Sequence, residues 1–197
     1  MPVGDIDRLG VASERFEPLA RLAVRQIIEA EIRRGMQGGI NPLVIARAIR
    51  LKASGVTLTR AMTIARTEMM VASWSTTRDE YARDEVVTGW QWSATRDGKT
   101  CPTCTMMDGT IHSNGDRMRS HPNCRCAMLP VVSGRASIGS TGFSRVARMS
   151  KGRQSALLGP SRANYLQAGG DPTALVSTAT HPLYGPTPVL TRVRDLP

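Results

Sequence analysis

At 197 residues and 21.4 kDa the chain has room for one ordinary domain or two small ones. Apolar residues make up 41% but aromatics only 4%, so the core must rest on Val, Leu, Ile, Met and Ala, which bury less area per residue. A net charge of +10 favours negatively charged partners, nucleic acid or acidic protein surfaces, and no apolar run reaches the ~18 residues a membrane span needs.

The N-terminus carries Asp5 and Asp7 with no apolar run behind them, so no signal peptide and a reducing cytoplasm are expected. Residues 1–12 show no pattern. From Ser13, a candidate cap, the positions Phe16, Leu19, Leu22, Ala23, Ile27, Ile28 and Ile32 mark an amphipathic helix that Gly35 is expected to close. Asn41-Pro42 opens a second helix ending at Gly55, with Pro where its missing N–H costs little. Thr57 caps a third helix running to about Asp84. The texture then changes to strands. Val86, Val87, Trp90 and Trp92 suggest one, with both Trp on one side. Arg96-Asp97-Gly98-Lys99 is a turn, Thr110–His112 a short second strand and Cys126–Val132 a third. Residues 133–142 read as a Gly/Ser-rich linker, Ser144–Leu158 as a basic helix, Pro160–Ala168 as a short helix, and the Pro-containing segment from Ser177 as an extended tail. No acidic residue occurs between Arg117 and Gly170, so Arg145, Arg148, Lys151 and Arg153 are candidate contacts to the phosphates of duplex DNA.

Chemistry concentrates in one segment. Cys101-Pro102-Thr103-Cys104 is a tight turn able to present two thiolates to one ion, and His121-Pro122-Asn123-Cys124-Arg125-Cys126 returns three more donors. Two short-spaced groups joined by a loop suit tetrahedral zinc, whose ligands are S and N. Cys124 and Cys126, if in a strand, point to opposite faces, so Cys101, Cys104, His121 and one of those two form the expected set. Disulfides and free thiols are the other readings; in each the cluster staples a segment too short to fold on an apolar core alone. Catalysis is not expected. A deaminase would place His-x-Glu before its Pro-Cys-x-x-Cys, and all three histidines lie after Cys104. A metal-dependent nuclease built on His112, Asn114 and Asp116 is the nearest enzymatic alternative.

The order of these pieces resembles a known family. Ile64-Ala65-Arg66-Thr67-Glu68 in a helix is followed by Trp92–Asp97, Thr100–Cys104, Met107-Asp108-Gly109 and His121–Cys126. This is similar to the phage head morphogenesis family of Mu protein F-like minor head proteins, over roughly residues 57–132. The resemblance implies a minor head protein that acts in head assembly with the portal and other capsid proteins, resides in the virion head, and passes through the host cytoplasm during assembly. It implies that Arg66 and Glu68 make polar contacts fixing their helix against the cluster module, that Trp92 packs over the module, and that Asp97 orders the turn into Cys101.

The expected architecture is therefore α+β. A helical region over 1–56 precedes a head morphogenesis domain over 57–132, whose small three-stranded module is stapled by the Cys/His cluster. A basic linker and helices follow over 133–176, then a Pro-rich tail over 177–197. The expected function is structural, in phage head morphogenesis, with a suspected structural zinc and no membrane partner. A sequence-independent DNA-binding accessory protein is the alternative, and a nuclease or toxin-associated domain a further one.

Overall fold

The structure, a computed structural model, describes residues 22–53, 55–181 and 185–197; the expected helix start from Ser13 lies outside them. The fold is α+β, with helices and two small antiparallel sheets, and divides into two compact units.

The first unit takes the described residues of Met1–Thr77 together with Met118–Cys124 and His181–Gly185. Its helices are α1 (Leu22–Gln37), α2 (Pro42–Lys52) and α3 (Leu58–Arg83), the last belonging to this unit as far as Thr77. Each later start has the cap its sequence predicts. Asn41 Oδ1 accepts the Leu43 N–H at 2.8 Å, and Thr57 Oγ1 accepts that of Arg60 at 3.2 Å. The apolar stripes meet through Ile28, Ile32, Ile45, Ile49 and Ile64, with Ala46, Ala53, Ala61 and Ala65 between them. Each Ile so removed from water contributes about 2 kcal/mol. Gly35 does not close α1, which continues to Gln37. It is instead where the Ile45 side chain of α2 comes close, since a Cβ there would lie 2.2 Å from Ile45 Cδ1. Glu31, 4% exposed, accepts hydrogen bonds from Lys52 of α2 and, at 2.6 Å, from Arg34. The Lys52 bond above all holds its carboxyl below the usual range.

The second unit comprises Arg78–Arg117, Arg125–Thr180 and Pro186–Pro197. Strand β1 (Val87–Ser93) lies between β2 (Ile111–His112) and β3 (Ala127–Val132), antiparallel to both. Trp90, Gln91 and Trp92 are each at most 2% exposed, so β1 is covered on both faces rather than one. The outer edge of β3 offers little to another strand. The Met128 carbonyl accepts Tyr81 Oη–H at 3.2 Å, Pro130 has no N–H, and the Val132 N–H is bonded to Arg135 O.

After β3 the chain departs from expectation in two places. Residues 133–142 do not form a free linker. Gln91 Nε2 donates to Gly109 O and Ile138 O, and Gln91 Oε1 accepts the Ile138 N–H at 2.7 Å. The basic helix expected over Ser144–Leu158 is two helices, α5 (Gly142–Ala147) and α6 (Lys151–Leu158), following α4 (Pro102–Met107) in the chain. The break is stabilised by Gln154 of α6, fully buried, whose amide donates to the final carbonyls of α5, Val146 and Ala147. Helix α7 (Pro160–Gln167) follows. The segment from Ser177 is extended, but it is not a loose tail. Strands β4 (Val176–His181) and β5 (Gly185–Leu190) pair with each other, while Leu175, Leu190 and Leu196 pack with Met106, Val146 and Leu158.

Candidate metal centre

Cys101 occupies the N-cap of α4, with Pro102 next, and its Sγ accepts the Cys104 N–H at 3.3 Å. Cys101 is half-buried and Cys104 buried. The turn leading into Cys101 is held by Asp97. Its Oδ1 accepts the Lys99 N–H at 3.0 Å and the Thr100 hydroxyl at 3.2 Å, and both its oxygens accept from Arg125, at 2.6 and 2.8 Å. The Arg125 guanidinium, foremost, holds the Asp97 carboxyl well below the usual carboxylate range. Arg125 stands between Cys124 and Cys126, so the pair ties the approach to one thiol group to the other.

The second group of donors comes from a turn and the residues after it. The Cys124 N–H is bonded to His121 O at 3.2 Å, Pro122 occupies the second position and Asn123 the third, with φ of 60°. That is the residue pattern of a type II turn, in which Asn or Gly takes the left-handed position. Its positive φ is stabilised from α3: the Asn123 N–H donates to Thr67 Oγ1 at 3.1 Å and Nδ2 to Thr63 Oγ1 at 3.2 Å. His121 Nδ1 lies 2.8 Å from Pro122 O. A carbonyl only accepts, so Nδ1 carries the proton and Nε2 is the unprotonated ring nitrogen.

The donor atoms gather in two overlapping sets. Cys101, Cys104 and His121 lie within 4.8 Å of one another, as do Cys104, Cys124 and Cys126, and Cys104 belongs to both. Cys124 and Cys126 do not point to opposite faces. Strand β3 begins only at Ala127, and the irregular backbone before it lets both thiols approach Cys104. None of these four cysteines is disulfide-bonded. The cluster could hold a metal ion, and thiolates with an imidazole are the donor chemistry of structural zinc sites.

The neighbouring residues named by sequence fall into different roles. Trp92 is 2% exposed and lies 6.4 Å, ring to ring, from Trp90. On α3, Glu68 is 1% exposed and Thr67 3%, whereas Arg66 is exposed and makes no ion pair among the described residues. Helical spacing explains this: Ile64, Ala65, Thr67 and Glu68 share the covered side, and Arg66 points away from it. The polar contacts seen from this helix within the first unit run from Thr63 and Thr67 to Asn123.

His112, Asn114 and Asp116 are occupied with structure. The His112 ring stacks on Trp90 at 4.2 Å and 16°. Thr110 Oγ1 gives its proton to Met107 O, so at 2.8 Å from His112 Nε2 it accepts. Burial pushes the His112 pKa down. Asn114 Nδ2 donates to Tyr81 O and Val87 O. Asp116 accepts the Ser113 N–H on its side chain and the Trp90 indole N–H on its carbonyl.

The basic residues divide as well. Arg145 is not available to phosphates in the way its position in an acid-free run suggested. Its guanidinium pairs with Asp108 and donates to Ser140 O. Asp108, 1% exposed, also accepts Arg96 Nε at 2.7 Å and the Ala94 N–H at 2.8 Å. Its partner was hidden because it stands upstream of the run. Arg162 is likewise committed, donating to Thr191 O and Leu158 O. Arg148, Lys151 and Arg153 are exposed.

Set beside known proteins, residues 26–129 match the family described as Phage Mu protein F like protein. The match takes in α2 and most of α1 and so begins well before residue 57, where the sequence resemblance was placed. No curated protein and no solved structure matches the chain.

Proposed function

We infer the role of this chain from its family: it belongs to the phage Mu protein F like proteins, and is a phage head-related protein. In our reading it is a minor component of the virion head, built into the procapsid through contacts with the portal and other capsid proteins, and has no catalytic activity of its own. The observation that carries the reading is the family match over residues 26–129, inside which all five Cys/His donors fall. A single structural zinc bound by those donors would staple the segment between Cys101 and Cys126. The absence of catalysis is supported by the engagement of His112, Asn114 and Asp116 in backbone contacts and stacking. The test is mass spectrometry of purified procapsids and virions, with capture on the portal. Presence in both particles and retention by the portal are expected; absence from both particles overturns the reading. Elemental analysis should find about one zinc per chain.

A second reading, accessory binding to duplex DNA, is favoured by the exposure of Arg148, Lys151 and Arg153. Binding would be independent of sequence and fall steeply with salt. Changing the three to Gln should flatten the salt dependence, whereas Arg145→Gln should lower stability instead.

A further inference from the structure

The sequence points to the donors of the metal centre, but not to what aims them. Two threonines on α3 do this for the His121–Cys124 turn. Thr63 Oγ1 donates its proton to Thr59 O at 3.1 Å, and Thr67 Oγ1 donates to Thr63 O at 2.6 Å. A hydroxyl has one proton, so both oxygens then present only lone pairs to whatever lies beyond the helix. Asn123 supplies two donors to meet them: its backbone N–H reaches Thr67 Oγ1 at 3.1 Å, and its side-chain amide reaches Thr63 Oγ1 at 3.2 Å. The four-residue spacing of the threonines places both on one face of α3, one turn apart. Asn123 is the third residue of the turn, at φ of 60°, immediately before Cys124 and two residues after His121. The turn thus arrives with its imidazole tautomer set by Pro122 O and its backbone pinned at Asn123, the residue just before Cys124.

We propose that Thr63, Thr67 and Asn123 are positioning residues of the metal centre, a hydroxyl-to-amide latch that presents His121 and Cys124 to the ion. The proposal rests on the reading of the cluster as a zinc site. Contacts of this kind orient ligands before the ion arrives, and their loss typically weakens metal binding about 10–100-fold. Thr67→Val removes the acceptor while keeping shape; Thr67→Ser keeps the acceptor; Asn123→Gly keeps the left-handed turn and the backbone bond but removes the side-chain amide.

The experiment titrates the metal-free full-length protein with cobalt(II), following its thiolate charge-transfer and d–d absorption, and then competes with zinc(II). Circular dichroism of the metal-free and loaded forms accompanies each titration. The wild type should show tetrahedral cobalt bands. Thr67→Val should lose about 10–100-fold in affinity with altered bands, Asn123→Gly less, and Thr67→Ser should restore both. Wild-type affinity and unchanged bands in Thr67→Val and Asn123→Gly overturn the latch while leaving the zinc site intact. A wild type that binds neither ion overturns the zinc reading itself, and the latch with it. Should Thr67→Val fail to fold, Asn123→Gly decides: wild-type affinity and bands in that variant overturn the proposal.

Discussion

In the helical unit, α1, α2 and α3 meet through Ile28, Ile32, Ile45, Ile49 and Ile64, with small Ala side chains letting the helices approach. In the other unit the elements are shorter, and much of what joins them is polar. Gln91 bonds the segment after β3, Asp108 bonds Arg96 and Arg145, and Gln154 bonds the end of α5. Apolar packing is non-directional and tolerates small changes of shape. A buried amide or carboxylate demands named partners, and leaving it unpaired costs the desolvation of that group. The two units should therefore fail in different ways.

The largest effects should come from one residue of each kind. Ile49→Ala, at a fully buried position, should cost about 3–4 kcal/mol through its cavity, while Ile49→Val costs about 1 kcal/mol, a graded response. Asp108→Ala should cost about 3 kcal/mol, and here Asp108→Asn, nearly the same shape, should recover little, because both arginines lose their charge partner. Urea unfolding followed by circular dichroism measures both pairs. An Asn variant as stable as wild type would erase the contrast between the units.

Gln91 sharpens the comparison at an intermediate size. Gln91→Leu keeps volume but strands the two backbone groups of Ile138, and should cost about 2 kcal/mol. Hydrogen exchange should show the Ile138 amide opening selectively. In the helical unit the corresponding small change is a cap: Asn41→Ala should cost about 1 kcal/mol, read as a lower urea midpoint at unchanged slope.

The smallest effect is one of pH. Burial lowers the pKa of His112, so the unfolded chain takes up the proton more readily than the folded one. The stability contributed by neutral His112 is present above about pH 6.5 and is lost as pH falls from there through the lower folded value. His112→Phe keeps a ring against Trp90, so its melting temperature should fall less than that of the wild type between pH 7.5 and about 5.5. An equal drop in both proteins would assign the pH dependence to other groups.

The α+β class, the starts of α2 and α3, all three strands of the first sheet and the Cys/His cluster were legible in the sequence, each from a pattern a few residues long. The cap at Asn41 and the alternation around Trp90 and Trp92 are local signals, and local backbone geometry obeys them. The division of the basic residues was not legible. Arg145 and Arg148 stand three apart and look alike, yet one is bound to Asp108 and the other is exposed. Nor was the break between α5 and α6, since the buried Gln154 amide that stabilises it belongs to the following helix.

What the sequence determined by itself is therefore the set of helices and strands and the stock of thiol and imidazole donors, because periodicity, caps and turn residues act within about one helical turn of themselves. Only the tertiary structure decided which polar groups find each other. Asp108 and Arg145 are 37 residues apart, Asn123 and Thr67 are 56 apart, and Gln91 and Ile138 are 47 apart. A buried polar group is stable only with a partner at hydrogen-bonding distance, and no local pattern records which distant residue the packed chain will bring there.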